Sequence, residues 1–156
     1  MEDAISRGAQ VLVGGKRVDG AGTFFSPTVL SDVPTGALFN VEETFGPVAA
    51  LTKFETEEEV IALANDSDVG LAGYFFSRDV GRVWRVAEAL EVGMVGTNTG
   101  IISHATIPFG GVKQSGIGEF RFSPIRLLLS TRCKGREGGH GIQEYLNQKL
   151  ITFGGI

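Results

Sequence analysis

From Val48 to Thr97 the chain alternates strand and helix signals, and this alternation constrains its fold more than any other feature. Val48 to Phe54 reads as a buried strand. Thr56 follows, with Glu59 three residues on, a capping-box pattern that opens a helix running to about Asn65. Leu71 to Phe76 is an apolar, aromatic strand. Asp79 can cap a second helix, in which Val80, Val83, Ala87 and Leu90 recur at helical spacing. Trp84 lies in the same helix and reads as core rather than site. Met94 to Thr97 is a third, short strand. Strands and helices of these lengths, taken in turn, imply right-handed crossovers and a parallel sheet, so the fold class is α/β.

The flanks are less regular. Asp3 to Arg7 reads as the end of a helix, and Ala9 to Val13 as a strand stopped by Gly14-Gly15. Lys16 to Thr23 is a glycine-rich, hairpin-like loop. Phe24 to Leu30 is extended, with Pro27 demoting it to an edge or irregular strand. Ile101 to Gly118 contains Pro108 and several glycines and reads as a long ordered loop of the kind that carries function. Ile142 to Tyr145 reads as a helical turn and Leu150 to Phe153 as a final strand. A terminal strand without a partner in its own chain is often an edge used in oligomers.

Composition closes off several classes. Acidic and basic residues are mixed along a chain of net charge −4, which argues against nucleic acid or an anionic membrane as partner. No apolar run reaches the ~20 residues of a membrane span. The acidic start Met1-Glu2-Asp3 is not a signal or transit peptide. A single cysteine, Cys133, excludes an internal disulfide framework. His104 and His140 lie far apart and have no metal-ligand spacing, so no metal is expected. Glycine makes up 23 of 156 residues in short punctuating groups, which implies many tight turns.

Two motifs point further. Glu42-Glu43-Thr44-Phe45-Gly46-Pro47-Val48 resembles the E-E-x-F-G-P-V signature of the aldehyde dehydrogenase superfamily. Pro108-Phe109-Gly110-Gly111-Val112-Lys113-Gln114-Ser115-Gly116 follows in family order, with Asn98 of Val95-Gly96-Thr97-Asn98 between them. The likeness runs from about residue 3 to 118 and resumes from 136 to 156. Within the superfamily, Thr56 to Glu59, Asp68 to Tyr74, Trp84 to Glu88 and Gly100-Ile101-Ile102-Ser103 resemble the succinate-semialdehyde dehydrogenases. The resemblance implies residues 1–118 as the C-terminal part of the catalytic domain, and residues 136–156 as a tail with an oligomerisation strand. It also implies an oxidoreductase using NAD or NADP and a homo-oligomeric complete enzyme. The substrate it implies is a small aldehyde, succinic semialdehyde, oxidised to succinate in 4-aminobutyrate degradation. It implies a mitochondrial address for a eukaryotic parent and a cytoplasmic one otherwise. A different aldehyde, or a non-catalytic role in binding full-length subunits, are the alternatives.

The resemblance assigns four site residues. Glu43 would accept hydrogen bonds from the nicotinamide ribose hydroxyls, a task suited to a carboxylate; by itself it is a surface acid beside Glu42. Phe45 would pack near the cofactor, and a core phenylalanine satisfies the same pattern. Ser103 would donate to the free carboxylate of the substrate, where local chemistry alone allows a loop serine bonding its own backbone. Phe109 would wall the aldehyde tunnel, or serve only loop packing. His104 reads as an exposed loop residue.

No catalytic residue can be assigned. The family attacks the aldehyde with a cysteine thiolate and releases the acid with a glutamate-activated water, and both groups lie upstream of the Glu-Glu-x-Phe motif. None of the 41 residues before Glu42 is a cysteine. Cys133 lies far downstream and has no visible activating partner. The chain by itself is therefore expected to be inactive. Residues 119–135 match nothing in the family pattern, which runs from Gly-x-Gly straight into Arg-Glu-Gly. They read as a retained intron, since Gly118-Glu119-Phe120 can be coded with a splice-donor GT and Lys134-Gly135 with an acceptor AG. Alternatively they are a surface insertion, which loop entropy tolerates.

Overall fold

The computed structural model describes residues 1–103, 109–116, 118–120 and 149–154. Pro108, His104, Cys133, His140, the Ile142–Tyr145 turn and residues 121–135 lie outside the described residues. The chain forms two compact units, Met1–Leu63 and Ala64–Ile156.

The first unit is built on β2 (Thr28–Ser31), with β1 (Gln10–Val13) antiparallel on one side and β3 (Val48–Ala50) parallel on the other. Pro27 does not demote this strand to an edge. It sits one residue before β2, so its missing N–H is never asked to join the ladder, and β2 is central. The turn out of β1 needs glycine: Gly14 has φ 73°, and a Cβ there would lie 2.1 Å from the Pro27 carbonyl oxygen. Ala4, Ala9, Leu30, Val33 and Ala37 form the small core. The helix α1 (Glu2–Ser6) contributes Ala4. Its Asp3 bonds Arg7 at 2.7 Å and accepts from the Leu38 N–H at 2.8 Å. Those two bonds, the Leu38 one first, hold the Asp3 carboxyl below its ordinary pKa.

The expected strand Val48 to Phe54 is shorter than its apolar run, and Leu51 and Phe54 are exposed. It pairs with β2, not with the next strand along, so only one of the two anticipated crossovers closes within a sheet. The capping box forms: Thr56 Oγ1 accepts from the Glu59 N–H at 3.1 Å, and the Glu59 carboxylate accepts from the Glu55 N–H at 2.7 Å. The helix that follows, α2 (Glu57–Asn65), ends where expected.

In the second unit, β5 (Ala72–Phe75), α3 (Val80–Ala89) and β6 (Met94–Thr97) make the strand–helix–strand crossover. The Asp79 side chain caps α3, accepting from the Arg82 N–H at 2.7 Å, and that bond lowers its pKa. Val83, Val86 and Ala87 form the buried face of α3, and Leu90 is buried just after it. Val80, expected on the same face, is exposed, because the buried stripe is centred on Val83, Val86 and Ala87. Trp84 is not core: it is 48% exposed and its ring sits 5.4 Å from that of Phe153.

All four residues of β6 are buried, and the strand has parallel neighbours on both sides: β5, and β9 (Leu150–Phe153). The final strand therefore does have a partner in its own chain. Lys149 explains the docking: its ammonium donates to the carbonyls of Ala87, Glu88 and Leu90 at the C-terminus of α3, where the helix dipole favours a cation. Burial nevertheless lowers the Lys149 pKa, with Glu88 and Glu91 opposing the shift. The expected loop from Ile101 to Gly118 also contains a strand. Here β7 (Phe109–Lys113) runs antiparallel to β4 (Val69–Gly70) and to β8 (Gly118–Phe120). Its glycines permit this by allowing close backbone approach; a Cβ on Gly93 would lie 2.2 Å from the Gly110 carbonyl oxygen.

Candidate active site

The Glu43 segment is held at both ends and free in the middle. Upstream, a short 3-10 turn at Leu38–Asn40 is capped by Asp3, and the Glu42 N–H returns to the Leu38 carbonyl at 2.8 Å. Downstream, the Val48 N–H bonds the Gly46 carbonyl at 2.8 Å, an i to i+2 closure around Pro47. The Pro47 carbonyl accepts from the Thr28 N–H at 2.8 Å, which fastens the motif to the central strand. Between these anchors Glu43 is exposed, and its carboxylate has no hydrogen-bond or ion-pair partner among the described residues. Phe45 is 93% exposed. An unengaged carboxylate beside a bare aromatic face can accept from vicinal hydroxyls and pack against a flat heterocycle, so these residues fit a nicotinamide nucleotide.

Ser103 and Phe109 belong to the second unit. Ser103 is exposed at the end of the segment leaving β6. Asn98 governs that exit. It takes a left-handed φ of 55°, its Oδ1 accepts from the Ser77 N–H at 2.9 Å, and its Nδ2 donates to the Ser77 carbonyl at 2.9 Å. The amide thus imitates one more rung of backbone pairing between β6 and the turn after β5. Phe109 opens β7, opposite Phe120, and is 43% exposed.

The residues around Phe109 have structural tasks that the sequence did not reveal. Lys113, also at φ 55°, donates to the carbonyls of Asn65 at 2.7 Å and Ser67 at 2.9 Å, and pairs with Glu91 at 2.7 Å. It ties β7 to the C-terminal end of α2. Ser115 Oγ accepts from the Gly70 N–H at 2.9 Å. The motif was legible, but its backbone partners Asn65, Ser67 and Gly70 lie more than forty residues away in the chain, and Glu91 about twenty, which spacing cannot show.

The model of the aldehyde dehydrogenase family matches residues 1–132. The chain belongs to the aldehyde dehydrogenase family. Among its relatives, the mitochondrial succinate-semialdehyde dehydrogenase of Rattus norvegicus is 52% identical over the whole chain, which covers 27% of that protein. A glutarate-semialdehyde dehydrogenase of Pseudomonas aeruginosa is 50% identical over 99% of the chain, covering 29% of that protein. The crystal structure of succinate-semialdehyde dehydrogenase from Burkholderia pseudomallei superimposes with a TM-score of 0.74 at 58% identity, over 76% of this chain and 24% of that one. The aldehyde dehydrogenase fold and its α/β class therefore hold for this chain, which spans about a quarter of the length of these relatives.

Proposed function

We propose that the chain supplies cofactor- and substrate-binding residues to an NAD- or NADP-dependent dehydrogenase that oxidises succinic semialdehyde to succinate. Glu43 and Phe45 hold the nicotinamide ribose side of the cofactor, and Ser103 and Phe109 hold the substrate. When bound, the nicotinamide supplies the hydride acceptor. The carboxylate of Glu43, without a partner among the described residues and set on a loop anchored at both ends, carries this reading. The substrate class is supported by chemistry: the semialdehydes in the names of the two relatives both end in a free carboxylate, and an exposed serine hydroxyl is a donor for such a group.

In this reading residues 1–118 are the catalytic-domain part, residues 119–135 an insertion and residues 136–156 the tail. The outer edge of β9 has no strand against it among the described residues, and a second subunit would use that edge. A eukaryotic parent would place the enzyme in mitochondria, the address in the name of the rat relative.

The chain alone should not turn over aldehyde, because no cysteine precedes the Glu43 motif in it. Purified chain with succinic semialdehyde and NAD or NADP should produce no reduced cofactor. Joining it to the upstream part of the rat relative should restore turnover, and Glu43→Ala in that chimera should raise the cofactor KM about tenfold, the loss of one charge-assisted bond. Turnover by the isolated chain, or an unchanged cofactor KM, would overturn the reading.

A further inference from the structure

We infer that Ile102 is a positioning residue for Ser103, seated in a notch that Gly96 leaves in the central strand. The inference rests on the substrate role proposed for Ser103. Gly96 is buried in β6, opposite Tyr74. A Cβ there would lie 2.8 Å from Ile102 Cγ2 and 2.7 Å from Tyr74 Cδ1, so both side chains occupy space that any other residue at 96 would fill. Ile102 is 3% exposed, whereas its neighbours Ile101 and Ser103 are both exposed. Between Asn98 and Ser103 it is the single buried side chain.

The rest of the segment is braced toward the same end. Asn98 grips Ser77 through both amide atoms. The Thr99 hydroxyl donates to the Ile101 carbonyl at 3.2 Å and accepts from the Ile101 N–H at 3.3 Å, which closes the turn just before the anchor. Ser103 follows Ile102 by one peptide unit, about 3.8 Å from Cα to Cα. A buried isoleucine at that distance restricts where the hydroxyl can stand, and a hydrogen bond weakens steeply with misplacement. Losing the anchor should be felt at the far carboxylate of the substrate and much less at the reacting carbon.

The test uses the chimera with the rat relative and compares succinic semialdehyde with butanal, an uncharged aldehyde of the same carbon count. Ser103→Ala is the reference and should raise KM for the semialdehyde about tenfold while leaving butanal unchanged. Ile102→Ala should give the same split, with kcat within about twofold, and should weaken succinate binding in a calorimetric titration to the same degree. Ile102→Val keeps Cγ2 and should behave as wild type. An Ile102→Ala variant with unchanged KM while Ser103→Ala raises it sinks the positioning role and spares the substrate reading. An equal loss of kcat on both aldehydes likewise makes Ile102 merely structural. No effect of Ser103→Ala sinks both. If the chimera does not turn over butanal, hydrogen exchange on the chain itself decides. Ile102→Ala should speed exchange of the Ile101 amide, which bonds the Thr99 hydroxyl, about tenfold and leave the β6 amides unchanged. Unchanged Ile101 exchange overturns the inference.

Discussion

Lys113→Met isolates one charged anchor while keeping the apolar stem, since methionine is close in length to the lysine methylenes. In the wild type the ammonium makes two bonds to backbone carbonyls, at 2.7 and 2.9 Å, and one ion pair at 2.7 Å. A bond to a charged group contributes about 1.5–3 kcal/mol when shielded. Here the lysine side chain is 25% exposed and Glu91 is 57% exposed, so water re-solvates much of what is lost. The ion pair then contributes at most ~1 kcal/mol, and the two carbonyl bonds together about the same. The expected loss is about 2 kcal/mol in the second unit. Trp84 is the single tryptophan and lies in that unit, so its fluorescence reports the relevant transition. At an m-value of about 2 kcal/mol/M the urea midpoint should fall by about 1 M with m unchanged. High salt should recover little of the difference, because screening acts mainly on the exposed ion pair. A midpoint within about 0.2 M of wild type would refute the reasoning; so would a loss abolished by salt, which would leave the ion pair as the whole effect.

Three further outcomes follow from the geometry. Asn98→Ala removes two backbone-directed bonds and puts alanine at a left-handed φ of 55°; thermal or urea unfolding should show a loss of about 2–3 kcal/mol, with Asn98→Gly losing less because glycine accepts that φ. Gly154→Ala should detach β9, since a Cβ there would lie 2.2 Å from the Asn98 carbonyl oxygen; Trp84 would lose its Phe153 neighbour and its emission should move to the red, and an unchanged spectrum counts against β9 docking in solution. Asp79 has a lowered pKa in the fold, so its contribution is present above the ordinary value of 3.8 and is lost as pH falls below that toward the folded value. Asp79→Asn keeps a capping oxygen but cannot titrate, and its stability should fall less steeply than wild type across that acid window in pH-dependent unfolding.

Local patterns carried much of the fold. The Thr56–Glu59 box, the Asp79 cap and the buried Met94 to Thr97 strand needed only nearest neighbours, and each formed where its residues stand. Pairing was harder. Whether Val48 to Ala50 joins β2 or β5 depends on contacts between segments about twenty residues apart, which hydrophobic periodicity does not encode. Glycine and proline between Ile101 and Gly118 signalled a loop, yet β7 forms there because Gly93, Gly110 and Gly111 let backbones approach that side chains would hold apart.

By itself, then, the sequence determined the family, through two motifs whose residue types and order are specific, and the α/β class, through periods of 2 and 3.6 that follow from backbone geometry. Tertiary structure alone decided what surrounds the candidate site residues. It left the Glu43 carboxylate unpartnered among the described residues, turned Lys113 and Lys149 into caps on distant helix ends, and seated Ile102 over Gly96 beside Ser103. Those arrangements rest on atoms brought together from remote parts of the chain, and directional bonds and close packing are properties of that proximity rather than of any local run of residues.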